Sequence, residues 1–326
     1  MRAIIQSRYG SAEDLRLAVV ERPVPGDGDA LVRVYAASVN DWDWQLLAGR
    51  PFLNRVNGAG GLRGPRHPIP GCDIAGVVVE VGAKVVEVAV GDEVMADLSG
   101  CGFGAFADFA CAPAHVLRRK PTGLSWVETA AVPQAGSLAV RALRTGGPVQ
   151  PKQAVLVNGA GGGVGTFAVQ IAAWSGAEVT GVDSGDKLDA VRAVGAQHVI
   201  DYARTDFTSV AAVYDRIVEP VARRSPGAYR RVLRAGGVCA IVGGSLRRVA
   251  AAALVGGLTN KLSGRSLVVP LWRPNDAVDV AFLTGLLETG AVRPVVDRVF
   301  RLAEASQALQ HFGATRHIGK IVLTTE

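Results

Sequence analysis

The chain has 326 residues, 49% of them hydrophobic and 20% charged, with a formal net charge of +6. That length exceeds one ordinary core and predicts two domains, and the composition excludes a disordered or fibrous chain. No apolar run reaches the roughly 18 residues that a bilayer crossing needs, so no membrane partner is expected. The charge is local, since Arg216 to Arg248 holds eight Arg against one acid, Glu219. Such a segment serves nucleic acid or solvates a helix. It has no interleaved aromatics and no nucleic-acid module, which favours solvation.

The N-terminal "MRAIIQSRYG" has neither a long apolar stretch nor a small-residue cleavage site, so a cytoplasmic location is expected. Cys72, Cys101, Cys111 and Cys239 form no C-x-x-C pair. That argues against a disulfide framework and against a clustered structural zinc lobe.

The first third reads as short strands broken by turns. "ALVRVYAASV", "IAGVVVEVG" and "GAKVVEVAVGDEVMA" are apolar and β-branched, with Gly and Pro between them, and predict a small barrel-like β domain. Between the first two lies a polar insertion, Gly49 to His67, with five Gly, expected to be a loop or lid. "PIPGCDIAG" then places Cys72 and Asp73 at a Gly turn. Both residue types can ligate zinc, and both also serve as a buried thiol beside a turn-capping acid.

From about Ser125 strand and helix alternate. "QAVLVNGAGGGVGTFAVQIAAWSGAEVTGVD" reads as strand, Gly-rich turn, helix and second strand. "HVIDY", "YDRIVE", "GGVCAIVGG" and "RSLVV" supply further apolar strands, which predicts a parallel sheet covered on both faces. "NGAGGGVG" sits where a dinucleotide fingerprint belongs. Its positions fall on Ala160, Gly162 and Gly165, with Ala in place of the first Gly, and Asp183 follows eighteen residues after Gly165. Glycines there let the backbone approach a pyrophosphate at the helix N-terminus.

The stretches "SVNDWD", "IPGCDIAGVVVEVG", "VGDEV", "GAFADF", "GAGGGVGTFAVQIA", "GAQHVIDY" and "VRPVVDR" run nearly end to end. Through them the chain resembles the zinc-independent, quinone oxidoreductase-like branch of the medium-chain dehydrogenase/reductases. The resemblance implies an α/β protein with a GroES-like β-rich catalytic domain at 1–124 and 271–326. A Rossmann NAD(P)-binding domain, a doubly wound parallel sheet, is implied at 125–270. It implies NAD(P)H as cofactor, a small-molecule quinone or carbonyl substrate, and a homodimer joined at the edge strand "RSLVVPLW". The implied cofactor residues are Asn40, Gly159, Ala160, Gly162, Gly163, Val164, Gly165, Asp183, Ser184, Lys187, Tyr202, Val242, Gly243, Gly244 and Lys320. Lys320 matches a basic position near the pyrophosphate. Asp183 favours NADH through the ribose hydroxyls, whereas the family more often uses NADPH.

Zinc alcohol dehydrogenases, a more distant likeness, carry a Cys near "SVN", a His-Glu pair after the "PG" turn and a Cys near "PQAG". Here those places hold Ser38 to Asn40, Cys72 and Asp73, and Pro133 to Gly136, so no metal is expected. Asn40 is the candidate catalytic residue, holding cofactor or substrate, with a loop-bracing hydrogen bond the competing reading, and Asp43 is expected to brace the loop. Pro51 stands where many members carry Tyr, which leaves solvent to protonate the product. Trp42, Trp44 and Phe52 are expected to line a flat substrate pocket, with core packing the competing reading, and Trp272 to belong to the same cleft or to a dimer edge. A metal-free site suits quinones and enones, whose conjugation spreads the charge that hydride delivers. The alternatives are a nucleotide-binding protein whose basic segment engages nucleic acid, and an alcohol or carbonyl dehydrogenase.

Overall fold

The structure is a computed structural model that describes residues 1–56, 60–209 and 212–326. Residues 57–59, within the insertion expected as a lid, lie outside the described residues. The chain divides into two units, one of residues 1–137, 274–284 and 294–326, the other of 138–273 and 285–293.

The first unit begins with β1 (Arg2–Ile5), β2 (Arg16–Val19), β3 (Asp29–Ser38), α1 (Asp41–Ala48), β4 (Asp73–Val81) and β5 (Glu93–Asp97). β6 (Phe109–Pro113), β7 (Arg118–Arg119), α2 (Trp126–Ala130) and α3 (Pro133–Arg144) follow. The division falls inside α3, thirteen residues beyond the 124/125 boundary expected from sequence. The reason is local: at the start of α3 the Gln134 amide donates to Asp73 Oδ1 at 3.2 Å and its side chain to Asp97 Oδ2 at 3.1 Å.

The second unit holds β8 (Ala154–Asn158), α4 (Gly163–Trp174), β9 (Glu178–Asp183), α5 (Leu188–Ala193), β10 (His198–Asp201) and β11 (Tyr214–Glu219). It continues with α6 (Pro226–Val232), β12 (Leu233–Ile241), α7 (Leu246–Ser263) and β13 (Ser266–Val268). Its six-stranded sheet runs β10-β9-β8-β11-β12-β13, all parallel. That is the 3-2-1-4-5-6 order of a doubly wound Rossmann sheet, whose switch point lies between its first and fourth strands, here β8 and β11. Leu156, Ile217, Tyr229, Leu233 and Ile241 form its core. Each such aliphatic side chain contributes about 1.5–3 kcal/mol by leaving water.

The chain then passes through α8 (Ala277–Glu288), β14 (Val296–Arg301), α9 (Ala305–Gly313) and β15 (Lys320–Thr324). β14 and β15 join the first unit's sheet, ordered β14-β15-β3-β4-β5-β7 with β6 also paired to β3. β15 and β3 pair antiparallel, Val322 opposite Ser38, a register that sets Lys320 opposite Asn40. Gly71, with φ +104°, makes the turn into β4, and an added Cβ there would lie 2.5 Å from the Phe106 ring. Only glycine accommodates both conditions.

Candidate functional site

In the second unit, the residues expected to hold a dinucleotide gather at the carboxyl ends of the parallel strands. The turn after β8 needs glycine: Gly159 has φ +70°, and a Cβ on Gly165 would lie 2.0 Å from the Gly159 carbonyl oxygen. Ala160 is fully buried and is not among the residues with a left-handed φ, so the methyl in place of the first fingerprint Gly carries no backbone strain. Gly162 caps α4, and Gly163, Val164 and Gly165 form its first turn, so their unpaired amides face the turn with the positive end of the helix dipole. Val242, Gly243 and Gly244 leave β12 beside Pro220 and Val221; a Cβ on Gly243 would meet the Pro220 carbonyl at 2.3 Å. This open, glycine-shaped cradle fits a dinucleotide pyrophosphate.

Asp183 ends β9 and is nearly buried, at 7% exposure. Its Oδ2 accepts from the Gly161 amide at 2.7 Å and its Oδ1 from the Ser184 amide at 2.8 Å. The Lys187 ammonium lies 4.0 Å away. The carboxylate therefore braces the Gly turn, with a counter-charge at its side. Tyr202 is half-exposed, and its backbone amide donates to the Asp183 carbonyl.

The first unit holds a buried polar cluster at the Cys72–Asp73 turn. Ser38 Oγ and Asn40 Nδ2 donate to Asp73 Oδ2 at 2.9 and 3.0 Å, and Lys320 Nζ lies 3.6 Å from that oxygen. Lys320 also donates to the Val39 carbonyl at 3.0 Å and to Asn40 Oδ1. Asp43 accepts from the Asn40 amide at 2.8 Å and from Cys72 Sγ at 3.3 Å. Burial pushes the Asp43 carboxyl up to about 7, with the Asp73 charge adding to the rise. Burial also raises Asp73, against the pull of Lys320, and Asp97, and drives the Cys72 thiol well above its ordinary range.

Lys320 and Asn40 are both engaged within this cluster. Lys320, expected beside the pyrophosphate, is buried within the first unit, and its ammonium is spent on Val39, Asn40 and Asp73. Asn40 uses both amide hydrogens internally, on Ser38 O and Asp73, so neither is left to donate to a substrate oxygen. Asp43 braces α1, as its position suggested.

Trp42, Trp44 and Phe52 lie in the first unit and Trp272 in the second. Trp44 packs on α9, its ring 6.5 Å from that of Phe312 and against Gly313, which is the core-packing reading. Trp42 is half-buried on the first turn of α1, Phe52 is 64% exposed beside Arg55, and Trp272 follows β13 in the other unit. A separate cleft in the first unit is lined by Gln6, Tyr9, Asp43, Leu46, His67 and Phe103.

The Arg-rich segment is largely consumed by the fold. Arg216 donates to the carbonyls of Leu143, Thr145 and Pro148. Arg224 pairs with Asp206 and Arg234 with Asp215, while Arg230 donates to Asn260. Two buried residues were given no site role in sequence, Asn158 at the end of β8 and Glu219 at the end of β11. A polar residue at the last position of each strand was their only signal.

The chain matches two family models, an alcohol dehydrogenase GroES-like domain over residues 26–122 and a zinc-binding dehydrogenase over 194–323. It is 30% identical over 341 residues to quinone-oxidoreductase QR1, chloroplastic, of Triphysaria versicolor, covering 99% of this chain and 98% of that one. It is 27% identical to the NADPH-dependent alkenal/one oxidoreductase, chloroplastic, of Arabidopsis thaliana, covering 99% and 79%. Among solved structures, the Escherichia coli quinone oxidoreductase complexed with NADPH shares the fold, with a TM-score of 0.84 at 20% identity over 99% and 100% of the two chains.

A zinc ion does not fit the residues at the Cys72–Asp73 turn. The thiol donates to Asp43, Asp73 already faces an ammonium, and a catalytic zinc takes about three protein ligands. Among the described residues no group of three or more His, Cys, Asp or Glu is placed to hold a metal, and no helix is long and apolar enough to cross a membrane.

Proposed function

The chain belongs to the medium-chain dehydrogenase/reductase superfamily, in its quinone oxidoreductase-like branch, and from that premise we propose that it reduces quinones or α,β-unsaturated carbonyls with NAD(P)H. The cofactor supplies a hydride. The α4 amides and the Gly159–Gly165 turn hold the pyrophosphate, and Ser184, Lys187 and Tyr202 flank the adenosine. The reading rests most on the Cys72–Asp73 turn, whose side chains are engaged with Asp43 and Lys320 and not arranged as metal ligands. A simple ketone would become a full alkoxide and call for a Lewis acid. A quinone or enone delocalises the same charge, so modest donors suffice. We assign Asn40 a positioning role, since its amide bridges Lys320 and Asp73, and solvent the role of proton donor.

Both reduced cofactors are accepted in this proposal. The internal bonds of Asp183 and the nearby Lys187 weaken the repulsion that an acid there offers a 2′-phosphate, which removes the case for an NADH preference. We further propose a homodimer through the β13 edge, where Leu254, Leu258 and Leu271 are 67–71% exposed. The cytoplasmic location stays part of the proposal, although relatives carry chloroplast names.

The test is cofactor oxidation at 340 nm against a panel of quinones, enones, ketones and alcohols, with and without chelator. Turnover of quinones or enones that survives chelation is expected. Turnover confined to simple alcohols or ketones, lost with stoichiometric zinc, would overturn the proposal. Cofactor binding with no acceptor in the panel would favour a binding protein instead.

A further inference from the structure

β8 and β11 are neighbours in the sheet, and the crevice above their carboxyl ends is the switch point at which doubly wound folds bind nucleotides. One carboxylate spans it. Glu219, fully buried at the end of β11, accepts from Asn158 Nδ2 at the end of β8, at 2.9 Å to each oxygen. Glu219 Oε1 also accepts the backbone amides of Val221 at 2.9 Å and Ala222 at 2.7 Å. The Tyr229 hydroxyl meets the carboxylate as well. Each of these partners donates, so the set favours the ionised form against the burial that pushes its pKa up.

What these bonds hold is the cradle wall. Ala222 takes φ +46°, a left-handed conformation that an alanine adopts only when its surroundings impose it. Val221 lies so close to Gly159 that a Cβ there would meet its Cγ2 at 2.9 Å. On the other side Gly244 approaches the Val221 carbonyl, where a Cβ would lie at 2.5 Å. The Pro220–Ala222 turn is thus wedged between the fingerprint turn and the turn after β12, and the Glu219 carboxylate ties it to β8.

We propose that Glu219, with Asn158, is the positioning residue of the dinucleotide cradle: it bridges the switch point and sets the spacing between the Gly159 turn and the Pro220–Ala222 turn. It touches no cofactor atom in this role. The assignment rests on the NAD(P)H reading above and goes beyond it, because neither residue is one of the fingerprint positions Ala160, Gly162 and Gly165.

The test is titration of NADH and NADPH by nicotinamide fluorescence, with thermal melts alongside. In Glu219→Gln, one oxygen still accepts from Val221 and Ala222, but an –NH2 now faces the –NH2 of Asn158. Loss of a hydrogen bond to a charged group predicts weakening of both cofactors on the order of tenfold. Combining Glu219→Gln with Asn158→Asp gives the new –NH2 an acceptor, and affinity returns to within a few-fold of wild type. A residue needed only for folding would shift the melt without this rescue. Should Glu219→Gln not fold, Asn158→Ala decides, since it removes the bridge and leaves the turn bonds in place. Wild type that binds neither cofactor overturns the NAD(P)H reading and this assignment with it. Wild-type binding, with folded variants that bind equally well or with no rescue in the double variant, overturns the assignment alone.

Discussion

The Lys320 ammonium stands 3.6 Å from the Asp73 carboxylate, with 4% and 0% of the two side chains exposed. Removing one partner of a buried pair leaves the other charged and dry, which costs about 3–5 kcal/mol. Lys320→Met is therefore expected to lose about that much stability in urea unfolding. Adding Asp73→Asn should recover part of the loss, because the carboxylate that Lys320 faced is then gone. A loss below about 1 kcal/mol, the range of exposed pairs, would contradict the arrangement.

Asp43 makes the first unit sensitive to pH. Its folded pKa is pushed up to about 7 from an ordinary value of 3.8, so the native state holds a proton that the unfolded chain releases earlier. The stability from this group is full below about pH 4 and is lost as pH rises through 7. One such group gives a slope of up to about 1.4 kcal/mol per pH unit. Denaturation midpoints should fall across this window in wild type, and less steeply in Asp43→Asn. Asp73 and Asp97, also raised by burial, supply the remaining slope. An identical slope in the variant would show that Asp43 is not the titrating group.

Asp183 should matter to both cofactors. Asp183→Ser removes the acceptor for the Gly161 amide and loosens the turn, so NADH and NADPH both bind more weakly. Asp183→Asn keeps an oxygen for Gly161 and removes the charge, so affinity is largely retained and shifts toward NADPH. Equilibrium titration of both cofactors decides: Asp183→Ser binding NADPH as tightly as wild type would mean the brace is dispensable.

The leucines near the β13 edge offer a test of assembly. Leu254 and Leu258 are one turn apart on α7. Charges placed at both should prevent a second copy from packing there. Light scattering is expected to give a dimer for wild type and a monomer for Leu254→Glu with Leu258→Glu. A dimer that persists in the double variant would place the interface elsewhere.

Much of the architecture was legible because it obeys local rules. Repeated apolar strands between helix-length stretches called for a parallel sheet, and "NGAGGGVG" called for a turn that only glycine can make at Gly159 and Gly165. Those constraints act over a few residues, through backbone sterics and burial, and the fold keeps them. Asp43, expected to brace its loop, accepts the amide of Asn40, three residues before it.

The partners of the charged groups were another matter. Lys320 meets Asn40 across 280 positions of chain, through the antiparallel register of β15 on β3. No periodicity in the sequence encodes that pairing. The basic residue matched to a position near the pyrophosphate pairs with Asp73, and Asn40 bridges the two. Glu219 and Asn158, 61 residues apart, meet only because β11 lies beside β8 in the sheet. Sequence alone determined which backbone turns must exist. Which side chains face each other inside, and so which charges are neutralised, was decided by strand order and register.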